Sequence, residues 1–88
     1  MTISSRLRKR IRHDFTESGD ATEAIRLVQR QTDDERLQAA IVFSAGGDIG
    51  RLHDAIELAD IDWRDALVVG GLDGDDWTAR LDKELGPA

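Results

Sequence analysis

Between Arg36 and Asp65 the chain spells a helix, a stop and two fresh starts: Arg36-Leu37-Gln38-Ala39-Ala40-Ile41-Val42-Phe43, then Gly46-Gly47-Asp48, then Asp62-Trp63-Arg64-Asp65. Glycine ends a helix because it adopts the left-handed conformation that other residues resist, and aspartate begins one because its carboxylate accepts from first-turn amides. With so little chain between signals, only short helices joined by tight turns satisfy them. The same punctuation runs through the rest of the sequence, where each apolar-periodic run follows Asp, Ser or Thr and several precede glycine. No segment alternates apolar and polar residues for long enough to form a half-buried strand, and the one proline is Pro87. The expectation is an all-α domain, a compact bundle of five to six short helices around a central apolar helix.

The pattern predicts the helices individually. The first begins at Ser4 or Ser5 and runs to about Phe15, with Ile3, Leu7, Ile11 and Phe15 forming a narrow apolar stripe at four-residue spacing. Asp20 and Glu23 have the spacing of a reciprocal cap for a second helix over about 21–31, with Ala21, Ala24, Ile25 and Val28 inward. Thr32-Asp33-Asp34-Glu35 carries the clearest local signal, with Thr32 accepting from a first-turn amide and Glu35 reaching back. The third helix, about 33–45, is apolar or small on nearly every side and belongs at the centre. A fourth, about 49–59, starts at Asp48 and turns Ile49, Leu52, Ala55, Ile56 and Ala59 to one face. A fifth covers about 62–69 and a sixth about 75–85. Asp62-Trp63 and Asp76-Trp77 echo one another fourteen residues apart, which implies a shared device: aspartate caps the helix while tryptophan closes the edge of the core.

Size and charge narrow the classes of function. The 88 residues allow a single domain, 1–88, and a chain of this size buries only about 60–65% of the surface its unfolded form exposes. The absence of cysteine removes disulfides and thiolate chemistry and is compatible with a reducing cytosol. No export signal and no long apolar segment is present, so the expectation is a soluble cytoplasmic protein without membrane contact. Residues 1–13 hold five cations (Arg6, Arg8, Lys9, Arg10, Arg12) and no acid, whereas residues 14–88 hold seven cations against eighteen acids, a net of −11. The expectation is a basic head, residues 1–18, that is the loosest part of the chain, with its Ile3, Leu7, Ile11 and Phe15 stripe available to dock on the acidic body or on a second copy.

The residues Arg36-Leu37-Gln38-x-Ala40-Ile41, Gly47-Asp48, Leu52, Ala59 and Asp62-Trp63-Arg64-Asp65 with Leu67 resemble a group of small uncharacterised bacterial helical proteins. That group shares an Arg-Ile/Leu-Gln-x-Ala helix, a Gly-Asp turn and an Asp-Tyr/Trp-Arg-Asp segment. The likeness covers about residues 35–69. The tail from Leu72 to Gly86 looks like an actinobacterial variant, and residues 1–31 match nothing in the group. The resemblance implies an all-helical fold and brings no activity, cofactor or partner.

Chemical constellations are sparse. His53, Asp54 and Glu57 stand about one turn apart, yet two ligand types on one helix do not make a metal site, and His13 lies on a different helix. Asp73-Gly74-Asp75-Asp76 resembles the start of a calcium loop until Trp77 and Thr78 fall where an oxygen ligand and a glycine are required. Gly46-Gly47-Asp48-Ile49-Gly50 follows a helix rather than a strand and has no phosphate-binding lysine. No catalytic residue, cofactor or metal is therefore assigned, and a non-enzymatic role is expected.

The remaining candidates are surface features. Arg6, Arg8, Lys9, Arg10 and Arg12 could meet phosphates, but no aromatic residue interleaves them and the rest of the chain is acidic. Arg64 is expected to bridge to an acid elsewhere, for example Asp54 or Glu57, and Trp63 and Trp77 are either core residues or interface anchors, with core favoured. The function expected is a protein-protein interaction or accessory role, with a protein partner or a second copy as a homodimer. Its surfaces are the basic first helix and the acidic flanks of the fifth and sixth. Nucleic-acid association through the first helix is the rival.

Overall fold

The computed structural model describes residues 3–86, which form six helices and no strand. These are α1 (Ser5–Asp14), α2 (Asp20–Gln31), α3 (Glu35–Ala45), α4 (Ile49–Ile61), α5 (Trp63–Gly70) and α6 (Trp77–Leu85). The third helix lies at the centre as its composition demanded: α3 packs against all five others, most extensively against α5 and α4. Ala39, Ala40, Ile41, Val42 and Ala45 are wholly shielded from solvent, along with Leu7, Ile11, Val28 and Leu52 from the surrounding helices.

Small residues set how closely the helices approach. Gly70 lies against α3 so tightly that a Cβ added there would fall 2.5 Å from the Ala40 Cα and 2.6 Å from its carbonyl oxygen. The close packing of α5 on α3 therefore rests on the absence of one side chain. Gly71 (φ 77°) then closes α5, and the Leu72 amide donates back to the Leu67 carbonyl at 2.9 Å. This reversal drives Leu72 into the core, a burial that helical periodicity alone did not predict.

The first helix is docked by its stripe. Ile3, Leu7, Ile11 and Phe15 are all buried, against α2, α3 and α6. Ser4 caps α1 as one of the two serines expected to do so, its Oγ accepting from the Leu7 amide at 3.3 Å.

Two caps differ from their sequence readings. Gly19, in the left-handed region at φ 86°, takes the cap position of α2; Asp20 becomes the first helical residue, and Glu23 turns to Arg26 at 2.6 Å instead of reaching back. At α3 the cap is Asp34, whose carboxylate accepts from the Arg36 amide at 2.9 Å, while Thr32 Oγ1 accepts from the Asp34 amide. Glu35 does not complete a capping box because a cation from α1 claims it. Asp48 and Asp62 cap α4 and α5 as expected, but Asp76 makes no side-chain cap bond. The fourteen-residue echo is therefore only half a structural repeat.

Candidate interaction surface

The five cations of the first helix divide into two that the fold consumes and three that it leaves. Arg6, whose side chain retains 12% of its exposure, donates to both carboxylate oxygens of Glu35 (Nη2 to Oε1 2.8 Å, Nε to Oε2 3.0 Å), to Asp82 at 2.7 Å and to the Gly86 carbonyl at 2.8 Å. Ser4 Oγ adds a hydrogen bond to Glu35 at 2.5 Å. The Arg6 hydrogen bond above all, then Ser4 and the Coulombic field of Arg6, hold the Glu35 carboxyl below its ordinary range despite the opposing effect of burial. The hydrogen bonds to Glu35 and Asp82 push the Arg6 guanidinium upward. Arg10 pairs with Asp14 at 3.0 Å and Glu84 at 3.3 Å, and its guanidinium lies 4.9 Å above the Phe43 ring. Arg8, Lys9 and Arg12 have no ion-pair partner among the described residues, and of these Arg8 is half-buried. Two of the five cations of the basic head are therefore neutralised by the acidic body.

The two tryptophans have different fates. Trp77 is half-buried beneath Arg36, whose guanidinium sits 4.8 Å from the ring and whose Nε donates to the Leu72 carbonyl at 2.8 Å. This arrangement ties α6 and the preceding turn to α3. Trp63 instead stands 52% exposed, with Arg64 stacked over it at 5.3 Å. The preference for a core position thus fails at Trp63, because its place at the first turn of α5 carries it past the end of the packed face. The expected bridge from Arg64 to Asp54 or Glu57 is also not made, the guanidinium choosing the ring one residue away.

Trp63 belongs to a larger exposed region. Ile61 (75%), Val68 (56%) and Val69 (62%) are the other large apolar side chains left in solvent among the described residues, and all four lie on the last residue of α4 or on α5. On α4, Asp54, Leu58 and Ile61 follow i, i+4, i+7 spacing and share one face; on α5, Ala66 and Val69 are one turn apart. Between the helices runs a groove of about 210 Å³ lined by Ser44, Arg51, Asp54, Ala55, Leu58, Ala66 and Val69. This volume is below the ~300–1,000 Å³ that encloses a small molecule. From Asp54 to Asp65 there are five carboxylates and one arginine, Arg64. All five acids are exposed, and none is ion-paired among the described residues. The sequence pointed to acids flanking α5 but did not single out Ile61, Val68 and Val69 as surface residues.

Groups with possible chemistry remain apart. His53 is exposed on α4, while His13 lies on α1 at 3.2 Å from the adjacent Asp14 carboxylate. No three His, Asp or Glu side chains converge in a metal-holding arrangement among the described residues. The Ser4 and Ser44 hydroxyls donate to Glu35 and to the Ala40 carbonyl. A larger depression, about 670 Å³, adjoins Ser4, Ser5, Arg6, Lys9, Glu35, Leu85 and Gly86, and its Arg6 and Glu35 satisfy one another. No described helix is long and apolar enough to cross a membrane. No protein-family model matches the chain, and neither does any curated protein or solved structure.

Proposed function

We propose that this protein is a small non-enzymatic accessory protein that acts through protein-protein contact at the corner formed by α4 and α5. One observation carries the reading: on a molecule with a fully formed core, Ile61, Trp63, Val68 and Val69 are exposed together within nine residues. Scattered surface apolar residues are ordinary, but a concentration of large ones on one two-helix unit is characteristic of an interaction site. The residues that carry the family resemblance sort in the same direction. Arg36 stacks on Trp77, Gln38 donates to the Thr32 carbonyl at 2.7 Å, and Asp48 and Asp62 cap helices. Only the side chains of Trp63, Arg64 and Asp65 face outward without a role in the fold.

Nucleic-acid association through α1 is the weaker alternative. Phosphate binding scales with the number of cations free to release counterions. Arg6 and Arg10 are committed to carboxylates, which leaves Arg8, Lys9 and Arg12 on a chain of net charge −6.

Photo-crosslinking from position 69 in cells that make the protein, compared with position 9, separates the two readings. A discrete protein adduct from position 69 and none from position 9 is expected, together with no retention on duplex DNA at about 50 mM salt. Nucleic-acid adducts at position 9 and salt-dependent DNA retention would reverse the assignment.

A further inference from the structure

We infer that the α4–α5 groove is a docking site for a cationic amphipathic helix of a partner protein, an inference that rests on the proposed contact role of this corner. Three observations select this occupant.

The first is shape. Ala55 and Leu58 on one side and Ala66 and Val69 on the other line an apolar channel between two helices, together with Ser44, Arg51 and Asp54. A helix can seat a row of apolar side chains in such a channel, and the limited volume suits anchor side chains better than an enclosed ligand.

The second is charge. Asp54 and Arg51 both line the channel, Asp65 is four residues before Val69 on α5, and the segment from Arg51 to Asp65 carries five exposed carboxylates against two arginines, so the corner as a whole is acidic. A symmetric dimer would place this patch against its own copy, bringing like charges together around the apolar strip. A partner with apolar anchors flanked by Lys or Arg meets the apolar and charged parts of the site at once. It also gains the faster encounter that complementary fields provide.

The third is internal to the fold. The acidic body already accepts one helix of this type, its own α1, through a buried stripe (Leu7, Ile11) with flanking arginines on Glu35, Asp82 and Glu84. On α1 that arrangement is complete. On the groove side the acids and the apolar channel are present and the helix is not supplied by the described residues.

The test is a titration of the full chain, followed by backbone amide NMR, with a synthetic Leu/Lys peptide whose leucines repeat at i, i+3, i+4 and i+7. Shifts centred on Leu58, Ile61, Ala66 and Val69 are expected, with affinity falling steeply as salt rises above about 50 mM. Val69→Asp should weaken binding at least about tenfold, and so, independently, should Asp54→Lys combined with Asp65→Lys, all at exposed positions whose substitution leaves the fold intact. A composition-matched peptide without the helical repeat and a Leu/Glu peptide should not bind.

Equal binding of the non-repeating peptide, or shifts centred on α1, overturns the inference. Preferential binding of the Leu/Glu peptide in the groove, or self-association through it, overturns the cationic partner while leaving the contact role standing. If position 69 also yields no protein adduct in cells, the contact role itself falls.

Discussion

By charge alone, α1 is the helix that ought to face outward, although its stripe fits docking, and by apolar content α5 is the one that ought to face inward. The first carries five cations around a four-residue stripe, and the second reads Trp-Arg-Asp-Ala-Leu-Val-Val-Gly. The structure docks α1 by its stripe and, although α5 packs extensively on α3, leaves one side of α5 uncovered. α1 is fastened by buried Leu7 and Ile11 and by an arginine held between two acids from distant segments, while α5 buries Ala66 and Leu67 and leaves Trp63, Val68 and Val69 in water. The physical difference lies in which demands each end of the molecule meets. At the α1–α6 end, the apolar stripe and two of the five cations are satisfied internally; at the α4–α5 corner, carboxylates and apolar side chains are left without partners. An interaction site is defined by unmet demands of this kind, and abundance of charge is a poor guide to it.

The contrast can be broken most forcefully at the stripe. Ile11→Ala, which opens a cavity beneath α1, is expected to destabilise the protein by about 2–5 kcal/mol in urea unfolding. A loss under about 1 kcal/mol would mean that α1 is a detachable head after all. Gly70→Ala should destabilise by about 1–3 kcal/mol, because the added methyl must displace α5 from Ala40. Thermal unfolding would detect that loss, and an unchanged midpoint would show the approach to be looser than described.

The charged end allows a sharper, internally controlled comparison. Arg6→Ala should lower stability by about 2 kcal/mol, since it leaves a half-buried Glu35 without its main partner, whereas Arg12→Ala should stay within about 0.5 kcal/mol. Equal effects would dissolve the distinction between consumed and free cations. The same clamp has a pH signature. The folded-state pKa of Glu35 lies below its ordinary 4.5, so its stabilising contribution is full above that value and is lost as pH falls through the lower folded value. Glu35→Gln should flatten the stability profile below about pH 4.5, and an acid limb of unchanged slope in chemical denaturation would remove Glu35 from that role. The smallest expected effect is at the corner itself: Ile61→Ser and Val69→Ser should change stability by no more than about 0.5 kcal/mol. A larger loss would show that these side chains serve the fold and would weaken their claim to be an interface.

Much of the fold was legible because its signals are local. The stops at Gly46 and Gly71, the caps at Ser4, Asp48 and Asp62, and the uniformly apolar third helix depend on residues within a turn of one another. Legibility failed where a distant group outbid a local one. Thr32 to Glu35 contains a capping box by spacing, but Arg6 from twenty-nine residues earlier holds the Glu35 carboxylate, so Asp34 caps instead. At α2 the competitor was local instead, the adjacent Gly19 taking the cap position expected of Asp20. The candidate surface was legible only in part: acids beside the fifth helix were visible, while the exposure of Ile61, Val68 and Val69 was not, since an apolar residue on an amphipathic helix reads as inward until a neighbour is shown to be missing.

The amino-acid order alone therefore determined that this chain is helical, where most of its helices begin and end, and which helix lies at the centre, because helix propagation, capping and glycine reversal are short-range properties of consecutive residues. Tertiary structure decided which charges are spent on one another and which apolar side chains find cover, because burial and ion pairing depend on what another segment brings alongside. The same arginine is a clamp at position 6 and free at position 12, and the same valine is core at position 42 and surface at position 69. That difference is written in the packing of the other helices.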